Sequence, residues 1–361
     1  MGIVFVLNCG SSSIKFQLIE PESGSVLLKG IAENLRTPGA TLKWSDQSKV
    51  LEDSAYRFAI DEIVKLFEHE KIIAVGHRVV HGGETFTKSI KVDEIVLDQI
   101  KQLSRLAQLH NPVNALGIEI MRQKFPELPQ VAVFDTAFHQ TLPTKAYLYA
   151  IPYEYYQKYR VRRYGFHGTS HRYVVREGAK MVGKPPEETS FISCHLGNGC
   201  SIAAVENGKS VDTSMGLTPL EGLVMGERSG DLDPGIIGLL ADQLKISADD
   251  VIKILNKKSG LIGISGVSAD MRLLLKSQER EAKIAIEIFC YRLAKYIAAY
   301  LVPLKKIDGV IFTGGIGENS EEIRNRVMEK LKPFGLKPLV IPTNEELMIA
   351  RDAAEIVKGD L

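Results

Sequence analysis

The feature that most restricts the fold is a repeated strand–turn–strand plan. Residues 4–20, VFVLNCGSSSIKFQLIE, and residues 193–205, SCHLGNGCSIAAV, each place an apolar segment, a turn rich in Gly, Ser and Asn, and a second apolar segment in succession. Apolar segments separated by a short glycine turn are typical of β-hairpins. Two hairpins of one design, about half a chain apart, predict a duplicated architecture.

The second hairpin is followed by Gly-Lys-Ser at residues 208–210, which raises the question of a P-loop. A P-loop requires glycine at the first position of G-x-x-x-x-G-K-[ST], and position 203 is alanine here. A P-loop also connects a strand to a helix, whereas residues 201–205 continue as an apolar strand into a turn. The pattern therefore predicts a hairpin tip with a solvated Lys209, and any phosphate is expected at the turn of residues 197–199.

The rest of the chain alternates helical and strand patterns. Helical spacing covers about 55–70, 93–108, 113–125, 170–183, 235–256 and 279–302, and short apolar strands occur at 72–75, 131–134 and 191–193. A third glycine turn, GVIFTGGIGENS at 309–320, precedes a helical pattern that stops at Gly335, which places this turn at a helix N-terminus that favours anions. The mixture predicts an α/β fold.

A stretch rich in proline and tyrosine, QTLPTKAYLYAIPYEYY, marks a domain boundary. It predicts an N-terminal domain of residues 1–145 and a C-terminal, nucleotide-binding domain of residues 146–346. The C-terminal segment, residues 347–361, is expected to form a helix that packs back on the N-terminal domain.

Composition excludes several classes of partner. The 361 residues include 45 Lys and Arg against 44 Asp and Glu, without a basic run, so neither nucleic acid nor an anionic membrane is expected as a partner. The four cysteines form no C-x-x-C pair and the N-terminus lacks a charged leader, which favours a reduced, cytoplasmic protein. The most apolar stretch, 284–303, contains Glu287, Arg292 and Lys295 and therefore favours a packed helix over a membrane span.

Candidate functional side chains concentrate in loop or strand-end segments, where sites usually lie. These segments are GHRVVHGGETF (76–86), LHNP (109–112), VFDTAFH (133–139), YGFHGTSH (164–171) and MGERSGDLDPG (225–235). Two histidine pairs have a spacing of four residues, but neither has the intervening glutamate of zinc proteases, and Gly-Thr-Ser is a poor helix interior, so zinc is not expected. Each histidine taken singly is more often a structural, hydrogen-bonded ring, and the functional interpretation rests on the concentration of polar groups beside glycine turns in several segments at once.

The arginines and acidic residues of these segments point to phosphoryl chemistry. Arg78 and Arg228 offer two guanidinium groups that can hold phosphoryl oxygens. Asp135 follows an apolar strand and can bind Mg²⁺ through water or act as a base, while Asn8 and Glu345 can supply further oxygen ligands. The combination predicts phosphoryl transfer.

Seven motifs together resemble the acetate kinase family, within the superfamily of acetate and sugar kinases, heat-shock chaperone ATPases and actin. They are NCGSSSIK (8–15), GHRVVHGG (76–83), VFDTAFH (133–139), YGFHGTSH (164–171), HLGNGCSIAAV (195–205), DTSMGLTPLEGLVMG (212–226) and IPTNEE (341–346). Their order and spacing match across essentially the whole chain. The resemblance implies two duplicated actin-like, ribonuclease H-like α/β domains with an interdomain nucleotide cleft, and a homodimer.

The activity that the resemblance implies is reversible, in-line transfer of the ATP γ-phosphoryl group to acetate, giving acetyl phosphate and ADP with Mg²⁺ or Mn²⁺. The implied catalytic residues are Asp135, Arg78, Arg228, His167 and His110, and the implied metal ligands are Asn8 and Glu345. The implied ATP-binding residues are Lys15, His195, Leu196, Gly197, Asn198, Gly199, Asp270, Met271, Arg272, Gly314, Gly315, Ile316, Gly317 and Glu318. The implied substrate pocket is Arg78, Val80, Leu109, Phe166 and Pro219. A carboxylate needs no deprotonation at neutral pH, which favours Asp135 as a magnesium-organising group over a general base.

Two departures from the family pattern and two alternative functions stay open at this point. Glu227 stands where the family usually has threonine, and its carboxylate could draw Arg228 away from a phosphoryl group. The connection 336–339 replaces a family segment of about 20–30 residues, a loss that a surface loop usually tolerates. A propionate kinase is the nearest alternative, because one methylene changes binding by only about 1–3 kcal/mol, and a butyrate kinase is less favoured. The other alternative is a nucleotide-gated binding module, as in actin and chaperones. Arg78 and an acyl pocket would have no purpose in such a module, so they favour a kinase.

Overall fold

The computed structural model describes residues 2–108 and 110–359. The chain forms two units: the first comprises the residues up to Phe138 and those from Asn344 on, and the second comprises His139–Thr343. The boundaries predicted from the sequence, after residues 145 and 346, fall slightly later in the chain.

The elements are numbered in chain order. The strands are β1 (Ile3–Cys9), β2 (Ile14–Ile19), β3 (Val26–Glu33), β4 (Thr41–Trp44), β5 (Gln47–Val50), β6 (Ile72–Val79), β7 (Ile90–Lys91), β8 (Gln130–Phe134), β9 (Ser190–Leu196), β10 (Cys200–Glu206), β11 (Lys209–Thr213), β12 (Gly309–Thr313) and β13 (Pro338–Val340). The α-helices are α1 (Tyr56–Lys65), α2 (Glu94–Gln102), α3 (Asn111–Lys124), α4 (Thr144–Tyr147), α5 (Tyr153–Tyr159), α6 (Gly168–Met181), α7 (Gly235–Leu244), α8 (Ala248–Lys257), α9 (Gly260–Ser265), α10 (Met271–Lys276), α11 (Arg280–Ala299), α12 (Gly314–Asn319), α13 (Glu321–Lys330) and α14 (Glu345–Lys358).

The first unit contains an eight-stranded sheet in the order β5-β4-β3-β2-β1-β6-β8-β7. β1 and β2 form the predicted antiparallel hairpin, while β6 lies parallel to β1 and β8 lies parallel to β6. β8, with the sequence QVAVF, is buried at every position, as expected for a parallel strand covered on both faces. Helices α3 and α14 contact β1 and β6. Because β1, β6 and β8 run the same way, their carboxyl ends meet at one edge of the sheet.

The second unit contains a five-stranded sheet in the order β11-β10-β9-β12-β13. β9 and β10 form an antiparallel hairpin in which Cys200 faces Leu196, so residues 197–199 make the turn. β12 lies parallel to β9, with Thr313 beside His195, and leads directly into α12. The glycine turns at residues 197–199 and at 314 therefore lie at the same edge of this sheet.

The two sheets share one five-strand arrangement. The order β3-β2-β1-β6-β8 in the first unit corresponds to β11-β10-β9-β12-β13 in the second. In each, three strands form an antiparallel meander and two further strands lie parallel to the meander's innermost strand. This confirms the prediction of a duplicated α/β architecture.

The Gly-Lys-Ser of residues 208–210 lies at a hairpin tip, as predicted. Glu206 pairs with Lys209 across the β10–β11 turn, and Asn207 has a left-handed φ of 51°. Lys209 is exposed and Ser210 is buried. No helix follows, so the P-loop interpretation is wrong.

The helix predicted over 235–256 is two helices, α7 and α8. Lys245, with φ 55°, ends α7 in the left-handed region. Ser247 then caps α8 by accepting a hydrogen bond from the Asp250 amide. Apolar spacing continues across the break, so periodicity alone does not reveal it. In the described part of the chain, no helix is both long and apolar enough to cross a membrane.

Candidate active site

Arg78 and Asp135 form the centre of a polar cluster at the carboxyl edge of the first sheet. Arg78 lies near the end of β6 and Asp135 directly follows β8. The Arg78 Nε and Nη2 atoms donate to the two Asp135 carboxylate oxygens at 3.0 and 2.6 Å. Asp135 is buried, with 1% of its surface exposed. Such a bidentate arrangement fixes both side chains and leaves the guanidinium able to recognise planar anions.

Asn8 and Glu345 complete this first cluster. The Arg78 Nη1 atom lies 3.5 Å from Asn8 Oδ1, and Nε lies 3.8 Å from a Glu345 oxygen. Burial raises the pKa of Glu345 to about 7; the charge of Arg78 lowers this pKa and the nearby Asp135 carboxylate raises it. Lys15 is exposed on β2, opposite Asn8 in the hairpin register. The structure therefore gathers the predicted metal ligands around Arg78, with more carboxylate than one arginine neutralises.

Two buried asparagines that the sequence analysis did not identify hold this edge together. Asn114 accepts from the Val80 amide at 3.1 Å and donates to the Cys9 carbonyl at 2.7 Å. Asn111 accepts from the His81 amide at 3.0 Å and donates to the His81 carbonyl at 2.9 Å. The Asn111 and Asn114 side chains lie three residues apart on α3 and thus on one face of the helix. The available signal was this spacing in the first two turns of α3, where the neighbouring positions are apolar or Gly.

The other predicted residues of the first unit lie beside these asparagines. Val80 is buried, and His110 is the N-cap residue of α3. Leu109 lies outside the described residues. The first unit therefore places Val80 and His110 at the same loop edge as Arg78.

A second cluster surrounds the turn of residues 197–199 in the other unit. The His167 and His195 rings are stacked with their centroids 4.3 Å apart. A Cβ atom on Gly199 would lie 2.5 Å from Arg228 Nη2 and 3.3 Å from His167 Cε1, so a side chain at this position would displace the guanidinium. Burial lowers the pKa of Arg228. Two imidazoles and a guanidinium thus gather on one glycine turn, which is an arrangement suited to a phosphoryl group.

The remaining predicted nucleotide residues adjoin the same turn. A Cβ on Gly314 would lie 2.8 Å from the Leu196 carbonyl, so the β12–α12 turn packs directly on the end of β9. Glu318 accepts from the Gly314 amide at 2.8 Å. Asp270 caps α10 and pairs with Arg272 at 2.6 Å. The Gly226 amide donates to the Asn198 carbonyl. A Cβ atom on Gly226 would lie 3.3 Å from the Ala269 carbonyl, so the Asp270 segment adjoins the same turn. The three predicted nucleotide segments are therefore neighbours in the second unit.

The loop before Arg228 sets the position of that arginine. Arg228 Nη1 donates to the Pro219 carbonyl at 2.7 Å, and Phe166, the other predicted pocket residue of this unit, is buried. Glu227 is exposed, and among the described residues the Arg228 guanidinium hydrogen-bonds to the Pro219 carbonyl and not to the Glu227 carboxylate. The Glu227 charge acts on Arg228 only as a minor electrostatic contribution, which raises the pKa of the arginine against the larger effect of burial, and the Pro219 carbonyl rather than Glu227 holds the guanidinium.

The described residues include no group of three or more His, Cys, Asp or Glu side chains placed to hold a metal ion. The first cluster offers two carboxylates and an amide oxygen instead. Magnesium commonly takes one or two carboxylates and completes its shell with water and phosphate oxygens.

Comparisons with known proteins agree along the length of the chain. The family model described as the acetokinase family matches residues 3–339. The chain is 49% identical to acetate kinase 2 of Vibrio cholerae over 393 residues, covering 98% of this chain and 99% of the relative. It is 48% identical to the acetate kinase of Shewanella pealeana, with 99% of each covered. Among solved structures, a propionate kinase from Francisella tularensis aligns with a TM-score of 0.94 and 46% identity, over 98% of this chain and 100% of that one. The acetate kinase of Porphyromonas gingivalis aligns with a TM-score of 0.92 and 40% identity, over 99% and 100%.

Proposed function

The chain belongs to the acetokinase family, and from that premise we propose that it transfers the γ-phosphoryl group of ATP reversibly to acetate, giving acetyl phosphate and ADP. The structural observation that carries the proposal is the gathering of His167, His195 and Arg228 on the turn of residues 197–199. It provides positive charge and hydrogen-bond donors beside a turn without bulky side chains. A phosphoryl group in transfer requires such charge neutralisation.

Arg78 is proposed to hold the carboxylate of the acid. Its Nε and Nη2 atoms bind the Asp135 carboxylate, which orients the guanidinium, and Nη1, with only a 3.5 Å contact to Asn8 Oδ1, is the nitrogen left to donate to acetate. Acetate is ionised at neutral pH and requires no base. Catalysis is therefore expected to depend on alignment and charge neutralisation, and Asp135 on organising these groups.

Magnesium or manganese fits the first cluster. Asn8, Asp135 and Glu345 supply hard oxygen donors, and the pKa of Glu345 is raised mainly by burial and further by the nearby Asp135 carboxylate, so a cation beside them would favour the ionised form. A divalent cation held there would neutralise phosphate charge during transfer. Lys15, exposed beside Asn8, is proposed to approach the nucleotide phosphates.

The apolar residues Val80, Phe166, Pro219 and Leu109 are proposed to contact the acyl chain. The similarity to the propionate kinase structure, at 46% identity, favours propionate as a second substrate. An extra methylene changes binding by only about 1–3 kcal/mol, so small side-chain differences decide the preference.

A homodimer is also proposed, together with a cytoplasmic location. Helix α7 has no buried residue and exposes Ile236, Leu239 and Leu244, an apolar surface that a second copy would cover. All four cysteines are buried free thiols, which suits a reducing compartment. Light scattering of the wild type and of Leu239→Glu tests the dimer, which the charged variant is expected to weaken.

The experiment that tests the activity is a hydroxylamine trap of the acyl phosphate, coupled to ADP formation, with Mg-ATP and acetate, propionate or butyrate. Wild type is expected to form acetyl hydroxamate, and Arg78→Ala is expected to lose at least about 100-fold in kcat/KM. Arg326→Ala, which removes an exposed arginine on α13, is the control. Absence of hydroxamate with all three acids would contradict the proposal.

A further inference from the structure

A line of hydrogen bonds runs from the interior of the second unit to His167. Its members alternate between serine hydroxyls and imidazoles on β9, α6 and β10. Ser193 Oγ lies 2.8 Å from His171 Nδ1, His171 Nε2 lies 2.8 Å from Ser201 Oγ, and Ser201 Oγ lies 2.9 Å from His167 Nδ1. Ser193, His171 and Ser201 are fully buried. Only His167, at the end of the line, belongs to the predicted site.

The inner end of the line fixes its direction. The only hydrogen-bond partner of the Ser193 hydroxyl, among the described residues, is His171 Nδ1. A buried hydroxyl hydrogen without an acceptor is costly, so Ser193 donates and His171 Nδ1 accepts. Burial, with smaller contributions from His139 and His195, holds the pKa of His171 well below its usual value, so this ring is neutral. Its single hydrogen is then on Nε2.

Ser201 also has one hydroxyl hydrogen, and the same reasoning fixes its direction. Since His171 Nε2 donates to Ser201 Oγ, the one hydrogen of Ser201 is available to His167 Nδ1. The opposite direction would have His171 Nδ1 donate to Ser193 and would leave the Ser193 hydrogen buried without an acceptor. One arrangement alone uses every hydrogen.

We propose that Ser193, His171 and Ser201 are positioning residues that fix His167 as the tautomer with its hydrogen on Nε2. A Cβ on Gly199 would lie 3.4 Å from His167 Nε2, so this nitrogen faces the glycine turn that also receives Arg228. A ring with its lone pair on Nε2 would repel a phosphoryl oxygen, whereas Nε2–H donates to it. The advantage of this tautomer for phosphoryl transfer rests on the proposed function. The assignment of the tautomer rests on the hydrogen bonds alone. Ionisable neighbours of these rings include His195, stacked on His167 and edge-on to His171, His139, edge-on to His171, and Arg228, which reaches the same glycine turn as His167.

The tautomers can be read directly by ¹⁵N NMR of the full-length protein with ¹⁵N-labelled histidine rings. A nitrogen that carries hydrogen and one that carries a lone pair resonate far apart. The signals of the two rings are assigned with His167→Gln and His171→Gln. Wild type is expected to show hydrogen on Nε2 and a lone pair on Nδ1 for both rings. A hydrogen on Nδ1 of His171 overturns the proposal, whether or not the protein proves to be an acyl kinase.

Two serine variants test whether the line transmits this preference. In Ser193→Ala, the His167 signals are expected to move toward the average of the two tautomers, although Ser193 does not touch that ring. Ser201→Ala is expected to do the same and to lower kcat roughly twofold with little change in KM, since about half of the rings keep the productive tautomer. Ser210→Ala removes an equally buried hydroxyl, 2.8 Å from His139 Nδ1, and is the matched control. Unchanged His167 signals in Ser193→Ala, or equal shifts in Ser210→Ala, refute transmission.

Discussion

Replacing Arg163 by methionine is expected to loosen the loop of residues 213–222. The guanidinium Nη1 donates to two successive loop carbonyls at 2.9 and 2.8 Å, and Nη2 pairs with Glu221 at 2.6 Å. The loop carries Pro219, whose carbonyl holds Arg228. Without Arg163 these acceptors lose their donor together, so both stability and activity are expected to fall.

The structure sets the size of this effect. Breaking a buried ion pair by removing one partner costs about 3–5 kcal/mol. The Arg163 side chain is 18% exposed and that of Glu221 is 32% exposed, so solvent screens part of this cost. Glu221 also keeps a second partner, the Tyr149 hydroxyl at 2.5 Å. A loss of about 2–4 kcal/mol remains, which in a unit of about 200 residues lowers the melting temperature by roughly 5–15 °C.

Thermal unfolding followed by fluorescence measures the loss, with Arg326→Met as the matched control. Arg326 pairs with Glu322 at 2.5 Å on α13, but the two side chains are 43% and 52% exposed. An exposed i,i+4 pair contributes only about 0.3–0.5 kcal/mol. If Arg163→Met melts within about 2 °C of Arg326→Met, the reasoning that burial distinguishes the two pairs is refuted.

Three further changes have defined expectations. Burial lowers the pKa of His77 to about 4, so the unfolded state binds more protons as the pH falls from 6.5 toward 4, and up to about 3 kcal/mol of stability is lost there. Urea unfolding at several pH values should show a flatter dependence in His77→Gln. Glu227→Thr should change kcat/KM by less than about threefold, since an exposed charge without an ion-pair partner has little effect. A larger change would support the earlier hypothesis that the Glu227 carboxylate draws Arg228 away from a phosphoryl group. Gly199→Ala should lower kcat about 100-fold by displacing Arg228, whereas Gly238→Ala, with open space around its Cβ, should not.

The sequence predicted those parts of the fold that local chemistry determines. The two glycine hairpins were recognisable because a short turn between apolar segments has few alternatives. The break at Lys245 was not, because apolar spacing is the same on both sides. The order of strands within each sheet depends on pairings between distant residues, which no local pattern encodes.

The same distinction applies to the residues of the candidate site. Side chains in quoted motifs, such as Arg78 and Asp135, were predicted and meet at 2.6 Å. The residues that support the two clusters were missed, because Asn114 in the first unit and Arg163 in the second bind backbone groups far along the chain. A buried side-chain amide or guanidinium that binds backbone carbonyls has no recognisable sequence motif. Its partners become apparent only when strand register and loop path are known.

The glycines of the second cluster show why motif and mechanism are easily confused. At Gly199 a side chain would displace the Arg228 guanidinium, and at Gly314, which has a φ of 75°, a side chain would clash with the backbone of Leu196. Both constraints exist before any nucleotide binds. The Gly-Lys-Ser at 208–210 has the composition of a phosphate loop but only turns a hairpin, with Gly208 at φ 75°. Glycine composition alone therefore does not identify a phosphate site in this chain.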